Sequence, residues 1–379
     1  MTTKLTGKAG LEDVVAASSS ICFIDGEQGI LSYAGHDIHE LVRSVTYEEV
    51  CFLLWNRRLP TRSELGDLQS IFASARRLPE GILRLLRTLP SGNAMDAVRT
   101  LVSGLAHYDL EVVDCSPLAS YRSAVRLTGQ VSSLVATYGR MKTGGGAIDP
   151  DPALGHAANF LLMLKGERPT ELETRAFDTA LVLHADHELN ASTFAARVTA
   201  ATLSDVHSAV VAGIGALKGP LHGGANAEVM RILQEIGEDA TAARIDKFVQ
   251  DMLSRKVKVP GFGHRVYRTE DPRATHLREM SRQLGENSGN TRWFEMSQRI
   301  EAVMERETKI AANVDFYSAS VYHTLGISVE LFTPIFAVSR VAGWTAHVLE
   351  QYANNRLIRP RAEYTGPEYP QLVTSLDER

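Results

Sequence analysis

Apolar residues recur at the spacing of an α-helix along most of the chain. In residues 245–253 they fall at i, i+3, i+4, i+7 and i+8, and residues 293–304 carry a second stripe of this kind. Such spacing gathers the apolar side chains on one helical face, which packs on a core. Strict alternation of apolar and polar residues is almost absent after residue 40. The pattern predicts an all-α (mainly α) fold.

Turn and capping residues indicate where individual elements begin. Two short β-prone pieces, residues 20–24 and 29–33, flank Asp25-Gly26 and predict a hairpin. Three helix starts carry a capping box, in which a threonine and a glutamate three residues later satisfy each other's backbone N–H groups. These boxes begin at Thr46, Thr61 and Thr170, and the third predicts a helix that runs to about His184.

A long stretch of small and β-branched residues, 191–217, is poor in charge. Its length and lack of alternation predict one buried helix at the centre of a large core. Glycine-rich or proline-rich breaks occur at residues 143–146, 218–220 and 260–263. An inserted domain between about residue 220 and residue 320 would place the last two breaks at hinges or clefts.

Length, composition and charge limit the class of protein. The 379 residues are 44% apolar and 22% charged, which is ordinary for a globular chain of one large and one smaller domain. Forty basic and forty-five acidic side chains give a net charge of −5. We therefore expect no nucleic-acid or anionic membrane partner, and any anionic ligand must be held by a local group of positive charges.

The cysteines and the N-terminus bear on the compartment. Cys22, Cys51 and Cys115 are odd in number and form no CxxC pair, which is typical of a reducing compartment and gives no sign of a thiolate metal site. Residues 1–10 are polar and lack the apolar segment of a secretory signal. Apolar runs fall short of the roughly 20 residues that span a bilayer. We expect a cytoplasmic protein without a metal.

One loop, PGFGHRVYRTEDPR at residues 260–273, concentrates candidate chemistry. Gly261 and Gly263 can take positive φ, so the backbone there is expected to be irregular. His264 follows, and an imidazole can polarise a carbonyl oxygen. Arg268 and Arg273 can hold carboxylates or phosphates in bidentate geometry. The alternative is a capping loop with solvated arginines.

Two further motifs carry histidines. His184 and His187 stand at i, i+3 near the end of a predicted helix, without the spacing of a zinc protease. His187 could bind substrate there, where the helix dipole favours a charged ring; alternatively one histidine is buried and one exposed. His222 lies in the turn GPLHGGAN before a predicted helix, where the dipole disfavours the charged ring. It could instead simply satisfy backbone groups of the turn.

A single carboxylate, Asp315, lies in an otherwise apolar run, residues 310–329. Burial pushes the pKa of a carboxyl group upward, which suits a general base. The alternative is an N-cap aspartate at a helix start. The glycines of residues 213–219 follow a helical rather than a strand-like stretch, and residues 143–146 lack the P-loop lysine, so neither indicates nucleotide binding.

Together these pieces resemble citrate synthase over essentially the whole chain. The stretches that carry the resemblance, in family order, are HADHELNAS (184–192), GPLHGGAN (219–226), PGFGHRVYR…DPR (260–273), NVDFYSA (313–319), FAVSR (336–340) and IRPRAEY (358–364). The resemblance implies a homodimer with a large domain of residues 1–221 and 323–379. A small domain of residues 222–322 would close over the cleft.

The resemblance also implies an activity, the condensation of acetyl-CoA with oxaloacetate and the hydrolysis of citryl-CoA to citrate and CoA, at the start of the tricarboxylic acid cycle. Asp315 would remove a methyl proton from acetyl-CoA while His222 holds the thioester oxygen. His264 would polarise and protonate the oxaloacetate ketone. Such an acyltransferase needs no permanently bound cofactor and no metal.

Other positions are assigned to binding by the same resemblance. The expected oxaloacetate-binding residues are His187, Arg273, Arg340 and Phe336, with Arg359 reaching in from the partner subunit. The expected CoA contacts are Arg268 and the backbone of Val259, Pro260, Gly261, Phe262 and Gly263.

Two alternatives remain open. The first is 2-methylcitrate synthase, which shares the machinery and uses propionyl-CoA. Relatives of that kind often read YAEHEFNAS where this chain reads HADHELNAS, which favours citrate synthase. One methylene, however, is worth only about 1–3 kcal/mol of discrimination, so a dual preference is compatible with the sequence. The second is a non-catalytic helical binding protein, which the composition also fits.

Overall fold

The structure, a computed structural model, describes residues 9–11 and 14–379. The prediction made for residues 1–10 lies almost entirely outside this part of the chain. Sixteen α-helices and one small sheet make up the described residues, so the predicted mainly α fold is confirmed. None of the described helices combines the length and the apolar character that crossing a bilayer requires.

The helices alternate with short connections over the whole chain. In the first half they are α1 Ile38–Ser44, α2 Tyr47–Asn56, α3 Arg62–Ala75, α4 Glu80–Thr88, α5 Ala94–Leu105, α6 Pro117–Lys142, α7 His156–Lys165 and α8 Glu171–His184. In the second half they are α9 Ala191–Ala200, α10 Val206–Leu217, α11 Ala225–Ile236, α12 Ala242–Ser254, α13 Pro272–Ser288, α14 Arg292–Thr308, α15 Val314–Thr324 and α16 Phe332–Ala353.

The predicted hairpin is present near the N-terminus. Strand β1, Cys22–Asp25, pairs antiparallel with β2, Ile30–Tyr33, in a register that sets Cys22 opposite Tyr33. A third short strand, β3 His36–Asp37, which the sequence pattern did not indicate, adds to β2. The Asp25 carboxylate accepts hydrogen bonds from two backbone N–H groups of the turn, which closes it locally.

The three predicted capping boxes are confirmed. The hydroxyls of Thr46, Thr61 and Thr170 each accept from the N–H of the glutamate three residues later, and each glutamate accepts in return from the threonine N–H. Helix α8 ends at His184, as predicted. These ends follow from local chemistry alone, which explains why the sequence located them.

The prediction of one helix over residues 191–217 is wrong, because the structure has two helices there. Helix α9 ends at Ala200, Leu203 takes a positive φ of 62°, and Asp205 caps α10 by accepting from the N–H of Ser208. An aspartate at an N-cap stabilises a new helix start by about 1 kcal/mol. The two helices pack on each other, so the stretch remains central to the core.

Helix α16 is the central element of the large core. It packs on α2, α6, α8, α9 and α10, and most of its side chains are buried. Its Trp344 is fully buried, and Gly213 of α10 lies so close that a Cβ there would meet the indole at 2.9 Å. Arg340 lies in the middle of α16.

Helices α11 to α15 pack mainly among themselves, with α13 and α11 on α15 and α12 on α14. This group also contacts the large core, since α13 packs on α8 and α1 and α11 packs on α16. The connections that precede α11, α13 and α15 therefore lie where the two groups of helices meet.

Candidate active site

The loop before α13 is held by the segment that leads into α15. Gly261 and Gly263 take φ values of 80° and 77°, the positive φ that the sequence predicted. The N–H of Gly263 donates to the Ala311 carbonyl at 3.0 Å, and the N–H of Asn313 donates to the Gly261 carbonyl at 2.9 Å. The Asn313 amide also donates to the Gly263 carbonyl at 2.8 Å. The backbone around His264 is therefore fixed to the start of α15.

His264 is a neutral ring with a defined tautomer. Its Nδ1 accepts from the N–H groups of Val266 and Tyr267 at 3.0 and 3.2 Å, so the proton lies on Nε2. Burial, and next the nearby Arg273 guanidinium, lower its pKa to about 4. The ring is therefore an uncharged N–H donor near neutral pH. The alternative was a capping loop with solvated arginines; Arg268 is exposed, whereas Arg273 is buried.

His187 lies beside His264, with ring centroids 5.2 Å apart. Its Nε2 is 3.2 Å from the Tyr267 hydroxyl, and its side chain is buried. The expectation of a charged ring at a helix end is wrong. Burial, and next Arg273, hold the pKa of His187 well below its usual range, because these effects exceed the field of the helix terminus.

Hydrogen bonds of His184 and Arg340 hold the loop that carries His187. His184 is buried as well as His187, so the alternative of one buried and one exposed histidine is wrong. Its Nδ1 donates to the Ala180 carbonyl at 2.7 Å, and burial lowers its pKa to about 3. Arg340 donates from Nε to the His184 carbonyl at 2.7 Å. Gly343 of α16 donates to the Ala185 carbonyl at 3.1 Å.

Phe336 is surrounded by three of these polar side chains. Its ring lies 4.9 Å from the His184 ring and 6.3 Å from the His222 ring, edge-on in both cases. The Arg340 guanidinium lies 4.7 Å from its centroid, within cation–π distance. An aromatic ring thus separates the two imidazoles and supports the guanidinium.

His222 lies in the turn that leads into α11, as predicted, and is held by Ser192. Its Nε2 accepts from the N–H of Ser192 at 3.3 Å and lies 2.8 Å from the Ser192 hydroxyl, which leaves the proton on Nδ1. Trp344 donates to the same hydroxyl at 3.0 Å. Burial, and next Arg340, lower the pKa of His222 to about 4. This ring too is an uncharged donor.

Asp315 is the second residue of α15 rather than its N-cap. Asn313 caps the helix, with its side-chain oxygen accepting from the N–H of Asp315 at 3.0 Å. The Oδ1 of Asp315 is buried and has no hydrogen-bond partner among the described residues. Burial raises the pKa of Asp315 to about 6, although Arg273 opposes the shift. Such a carboxylate is a stronger base than a solvated one.

The two buried arginines differ in their partners. Arg273 donates from Nε and Nη2 to the two oxygens of Asp271 at 2.9 and 2.8 Å, and both residues are buried. Arg340 is equally buried, but no carboxylate lies within ion-pair distance of it in the described part of the chain. A buried guanidinium without a counter-ion favours binding of an anion.

The remaining predicted residues, those expected to contact CoA, differ in their exposure to solvent. Arg268 is exposed and lines a cavity of about 270 Å³ together with His264 and Lys309. Val259 is buried, and Phe262 packs on Phe316 at 4.5 Å. Pro260 precedes Gly261 in the same loop.

Arg359 is not brought to this group of residues. It is exposed in the C-terminal segment and lines another cavity, of about 770 Å³, with Phe194 and Arg197. Sequence reasoning missed Ser192, Tyr267 and Asp271. Ser192 and Asp271 lie inside quoted motifs, as the second residue after a helix-capping asparagine and as a helix cap, but only the fold reveals the side chains they contact.

Four neutral imidazoles, one basic carboxylate and two buried guanidiniums form this group, an arrangement that suits an anionic carbonyl substrate and a carbon acid. The family described as Citrate synthase, C-terminal domain matches residues 10–361. The chain belongs to the citrate synthase family, and is thus a transferase.

Similar proteins cover almost the whole chain. Citrate synthase 2 of Bacillus subtilis (strain 168) is 50% identical over 377 residues, covering 99% of this chain and 100% of the relative. Citrate synthase of Haloferax volcanii is 50% identical over 378 residues, covering 98% and 99%. Citrate/2-methylcitrate synthase of Bacillus subtilis (strain 168) is 43% identical over 362 residues, covering 95% and 96%.

Solved structures agree with the fold. The crystal structure of citrate synthase from Pyrobaculum aerophilum has a TM-score of 0.91 and 41% identity, covering 100% of this chain and 99% of that one. The ternary complex of citrate synthase from Thermoplasma acidophilum with carboxymethyl coenzyme A and oxaloacetate has a TM-score of 0.91 and 32% identity, covering 98% of both chains.

Proposed function

We propose that the chain condenses acetyl-CoA with oxaloacetate and hydrolyses citryl-CoA to citrate and CoA. The observation that carries this proposal is the pairing of an unpartnered basic carboxylate with neutral imidazole donors. Asp315 can accept a proton only if it is ionised, and His222 and His264 can stabilise a developing oxyanion only if they keep an N–H. The pKa directions of all three groups meet these requirements near neutral pH.

Enolisation of the thioester is the first chemical step. Asp315 removes a proton from the acetyl methyl group, and the electron pair moves toward the thioester oxygen. The Nδ1–H of His222 donates to that oxygen. Ser192 supports this role because its backbone N–H donates to Nε2 and fixes the tautomer. An imidazolium would be a stronger acid than the neutral ring. The neutral imidazole stabilises the enolate by donating a hydrogen bond from its N–H.

Oxaloacetate is the electrophile. The carbon of the enolate attacks its ketone carbon as the thioester carbonyl re-forms, and the ketone oxygen takes the Nε2 proton of His264 to become the hydroxyl of the citryl group. The proton that Asp315 removed from the methyl group balances this transfer when it returns to the imidazole. His187, Arg273 and Arg340 hold the carboxylates, and Phe336 packs beside the substrate. The absence of a carboxylate partner for Arg340 among the described residues supports its assignment to a substrate carboxylate. Water then attacks the citryl thioester and releases citrate and CoA.

CoA binding is assigned to the loop that carries His264. Arg268 would contact a phosphate of CoA, and the backbone of residues 259–263 would line the adenine. The exposure of Arg268 beside a cavity that His264 also lines supports this assignment, because a phosphate chain could then lead to the reacting thioester. No permanent cofactor or metal is part of the proposal.

The two groups of helices would act as two domains. Residues 1–221 and 323–379 form the large domain, and residues 222–322 form the small domain that closes over the cleft. The packing of α11 to α15 mainly on one another supports this division. Closure would exclude water from the enol and bring His264 and Asp315 to substrates that the large domain holds.

The chain would act as a cytoplasmic homodimer in which Arg359 of each subunit completes the site of the other. The C-terminal segment supports this proposal, because it is exposed and carries large apolar side chains. Those that are at least three-quarters exposed are Tyr364, Tyr369, Leu372, Val373 and Leu376. A second subunit is a natural partner for such a segment. The three cysteines, all in the described part and unpaired, fit a reducing compartment.

The test is thiol release from the purified protein with oxaloacetate, measured in parallel with acetyl-CoA and propionyl-CoA. We expect kcat/KM to be at least about tenfold higher with acetyl-CoA, equivalent to about 1.4 kcal/mol in the barrier. The likeness to a citrate/2-methylcitrate synthase keeps propionyl-CoA as the second candidate substrate. Asp315→Ala should abolish turnover with either thioester. Release of no thiol by the parent chain would refute the proposal.

A further inference from the structure

The N-terminal hairpin, residues 22–33, contacts two of the loops that carry site histidines, those of His187 and His264. At its tip, the carbonyl of Gly26 accepts from the N–H of Arg268 at 2.9 Å. The approach is so close that a Cβ on Gly26 would lie 2.2 Å from the Val266 carbonyl oxygen. A Cβ on Gly29 would lie 2.7 Å from the Thr269 hydroxyl. The tip therefore rests directly on residues 266–269.

At its other end, the hairpin holds the loop of His187. The hydroxyl of Tyr33 lies 3.0 Å from the Asp186 carbonyl and accepts from the N–H of Asp186 at 3.3 Å. It also lies 3.1 Å from the Val182 carbonyl. Tyr33 is fully buried, so these contacts with the polypeptide replace hydration of its hydroxyl. The loop of His187 thus has a fixed position relative to β2.

We propose that this hairpin is a positioning clasp, that is, a segment that holds the loop of His264 in a fixed position relative to the loop of His187. The inference rests on the proposed function, because it gives Gly26, Gly29 and Tyr33 a part in aligning the groups that bind oxaloacetate. The two loops belong to different proposed domains, and the hairpin is a rigid strand pair that spans from one to the other. His187 and Tyr267 meet at 3.2 Å where it brings the loops together.

The glycines at the tip follow from this role. At the distance that the hydrogen bond between Gly26 and Arg268 sets, a Cβ on Gly26 would overlap the Val266 carbonyl oxygen, so only glycine permits this approach of the turn to the loop. The turn itself does not need Gly26 to close, since the Asp25 carboxylate already accepts from Glu27 and Gln28. A side chain at Gly26 would therefore move the tip away from residues 266–268 rather than unfold the turn.

The test compares kcat/KM of three variants for acetyl-CoA and oxaloacetate. Gly26→Ala and Gly29→Ala should each lower it about 10- to 100-fold, as expected when a catalytic group is displaced by about 1 Å. Gly35→Ala is the matched control. Gly35, in the turn between β2 and β3, shares the positive φ of Gly29, yet a Cβ there meets nothing within 4 Å. This control should stay within about threefold of the parent.

A relief variant separates displacement of the loop from backbone strain. Thr269→Ala removes the hydroxyl that a side chain at position 29 would meet, so the pair Gly29→Ala/Thr269→Ala should recover most of the activity that Gly29→Ala loses. Amide exchange supplies a direct readout. The Arg268 N–H should exchange faster in Gly26→Ala and Gly29→Ala than in the parent, and should be unchanged in Gly35→Ala.

Each outcome is decisive. Equal activity in Gly26→Ala and the parent would overturn the clasp, and so would equal losses in Gly29→Ala and Gly35→Ala without relief by Thr269→Ala. If Gly26→Ala fails to fold, the comparison of Gly29→Ala with the relief pair decides alone. A parent chain that releases no thiol would instead refute the proposed function, so the two failures are distinguishable.

Discussion

The loops that bring His187 and His264 together are built in opposite ways. Every side chain from His184 to His187 is buried, and α16 and Tyr33 hold the backbone of this loop. Around His264, in contrast, Arg265, Val266, Arg268 and Thr269 are exposed. That loop is held by backbone hydrogen bonds to residues 311–313 and to Gly26. The first loop is fixed by the core, whereas the second is fixed to the segment before α15 and, through Gly26, to the N-terminal hairpin.

The same difference determines how each histidine stays neutral. At His187 the cause is burial, assisted by Arg273. At His264 two backbone donors also occupy Nδ1 and fix the proton on Nε2. A substrate-binding ring needs only a stable environment, but a ring that donates to a reacting oxygen must also present the correct nitrogen. The comparison therefore supports the proposal that the loop of His187 binds the substrate and that the loop of His264 takes part in the chemistry.

Replacing the two histidines in turn should separate these roles most strongly. We expect His264→Ala to lower kcat about 10²- to 10⁴-fold, since it removes a donor that acts in the transition state. His187→Ala should instead act mainly by raising KM for oxaloacetate. Steady-state kinetics with oxaloacetate as the varied substrate measures both. Equal loss of kcat in the two variants would contradict the division of roles.

Gly343→Ala should disturb the core loop without touching the exposed one. A Cβ on Gly343 would lie 2.3 Å from the Ala185 carbonyl oxygen and 2.4 Å from an oxygen of Asp186. Overpacking of this kind costs about 1–3 kcal/mol of stability. We expect a lower midpoint of urea unfolding and a higher KM for oxaloacetate. Gly215→Ala, at an exposed position of α10 where a Cβ meets nothing within 4 Å, is the control. It should leave KM unchanged and should not lower the midpoint, because alanine is favoured over glycine within a helix.

The sequence predicted the parts of this molecule whose physics is local. Capping boxes at Thr46, Thr61 and Thr170 depend on residues three apart, and the positive φ of Gly261 and Gly263 follows from the absence of a side chain. For these features, neighbouring residues contain the necessary information. The family motifs named further residues, of which the structure brings His187 and His264 together but leaves Arg359 apart.

Features that depend on distant residues were missed or misjudged. Ser192 reaches His222 across thirty positions, and Tyr33 reaches Asp186 across 153. His187 was expected to be charged because its place near a helix end was visible, whereas its burial was not. The break between α9 and α10 needed only Asp205 as a cap, a local signal that the continuous apolar composition obscured.

Burial of His184 should make the core loop sensitive to acid. Its pKa is about 3 in the folded chain and about 6.5 in an unfolded one, so the unfolded state binds more protons between these values. The contribution of His184 to the free energy of unfolding is therefore fully present above about pH 6.5 and is lost as the pH falls below that value. The contribution of this one histidine amounts to about 2 kcal/mol between pH 7 and pH 5.

Urea unfolding at pH 7 and pH 5 measures this effect. His184→Gln should lose about 2 kcal/mol less than the parent over that interval, because glutamine does not titrate. His107→Gln, at an exposed position, should lose as much as the parent. An identical loss in all three proteins would show that His184 is not the group responsible.

The smallest expected effect concerns the pH profile of kcat/KM. This profile tests the groups proposed to act in the chemical steps, Asp315, His222 and His264. The pKa of Asp315 is about 6, and ionisation is required for it to act as a base. The pKa values of His222 and His264 are about 4, so both remain neutral donors down to about pH 5. We therefore expect a single acid limb near pH 6, with about a tenfold fall by pH 5 and a slope of one.

A slope of two, or a midpoint near pH 4, would contradict this assignment, because a second group or an imidazole would then control the limb. Asp315→Glu provides the sharper comparison. Glutamate retains a carboxylate at the start of α15 but extends it by one methylene, so its desolvation and hence its pKa should change. If the acid limb shifts in Asp315→Glu and stays in place in His184→Gln, the group that titrates is residue 315 and not a group of the core loop.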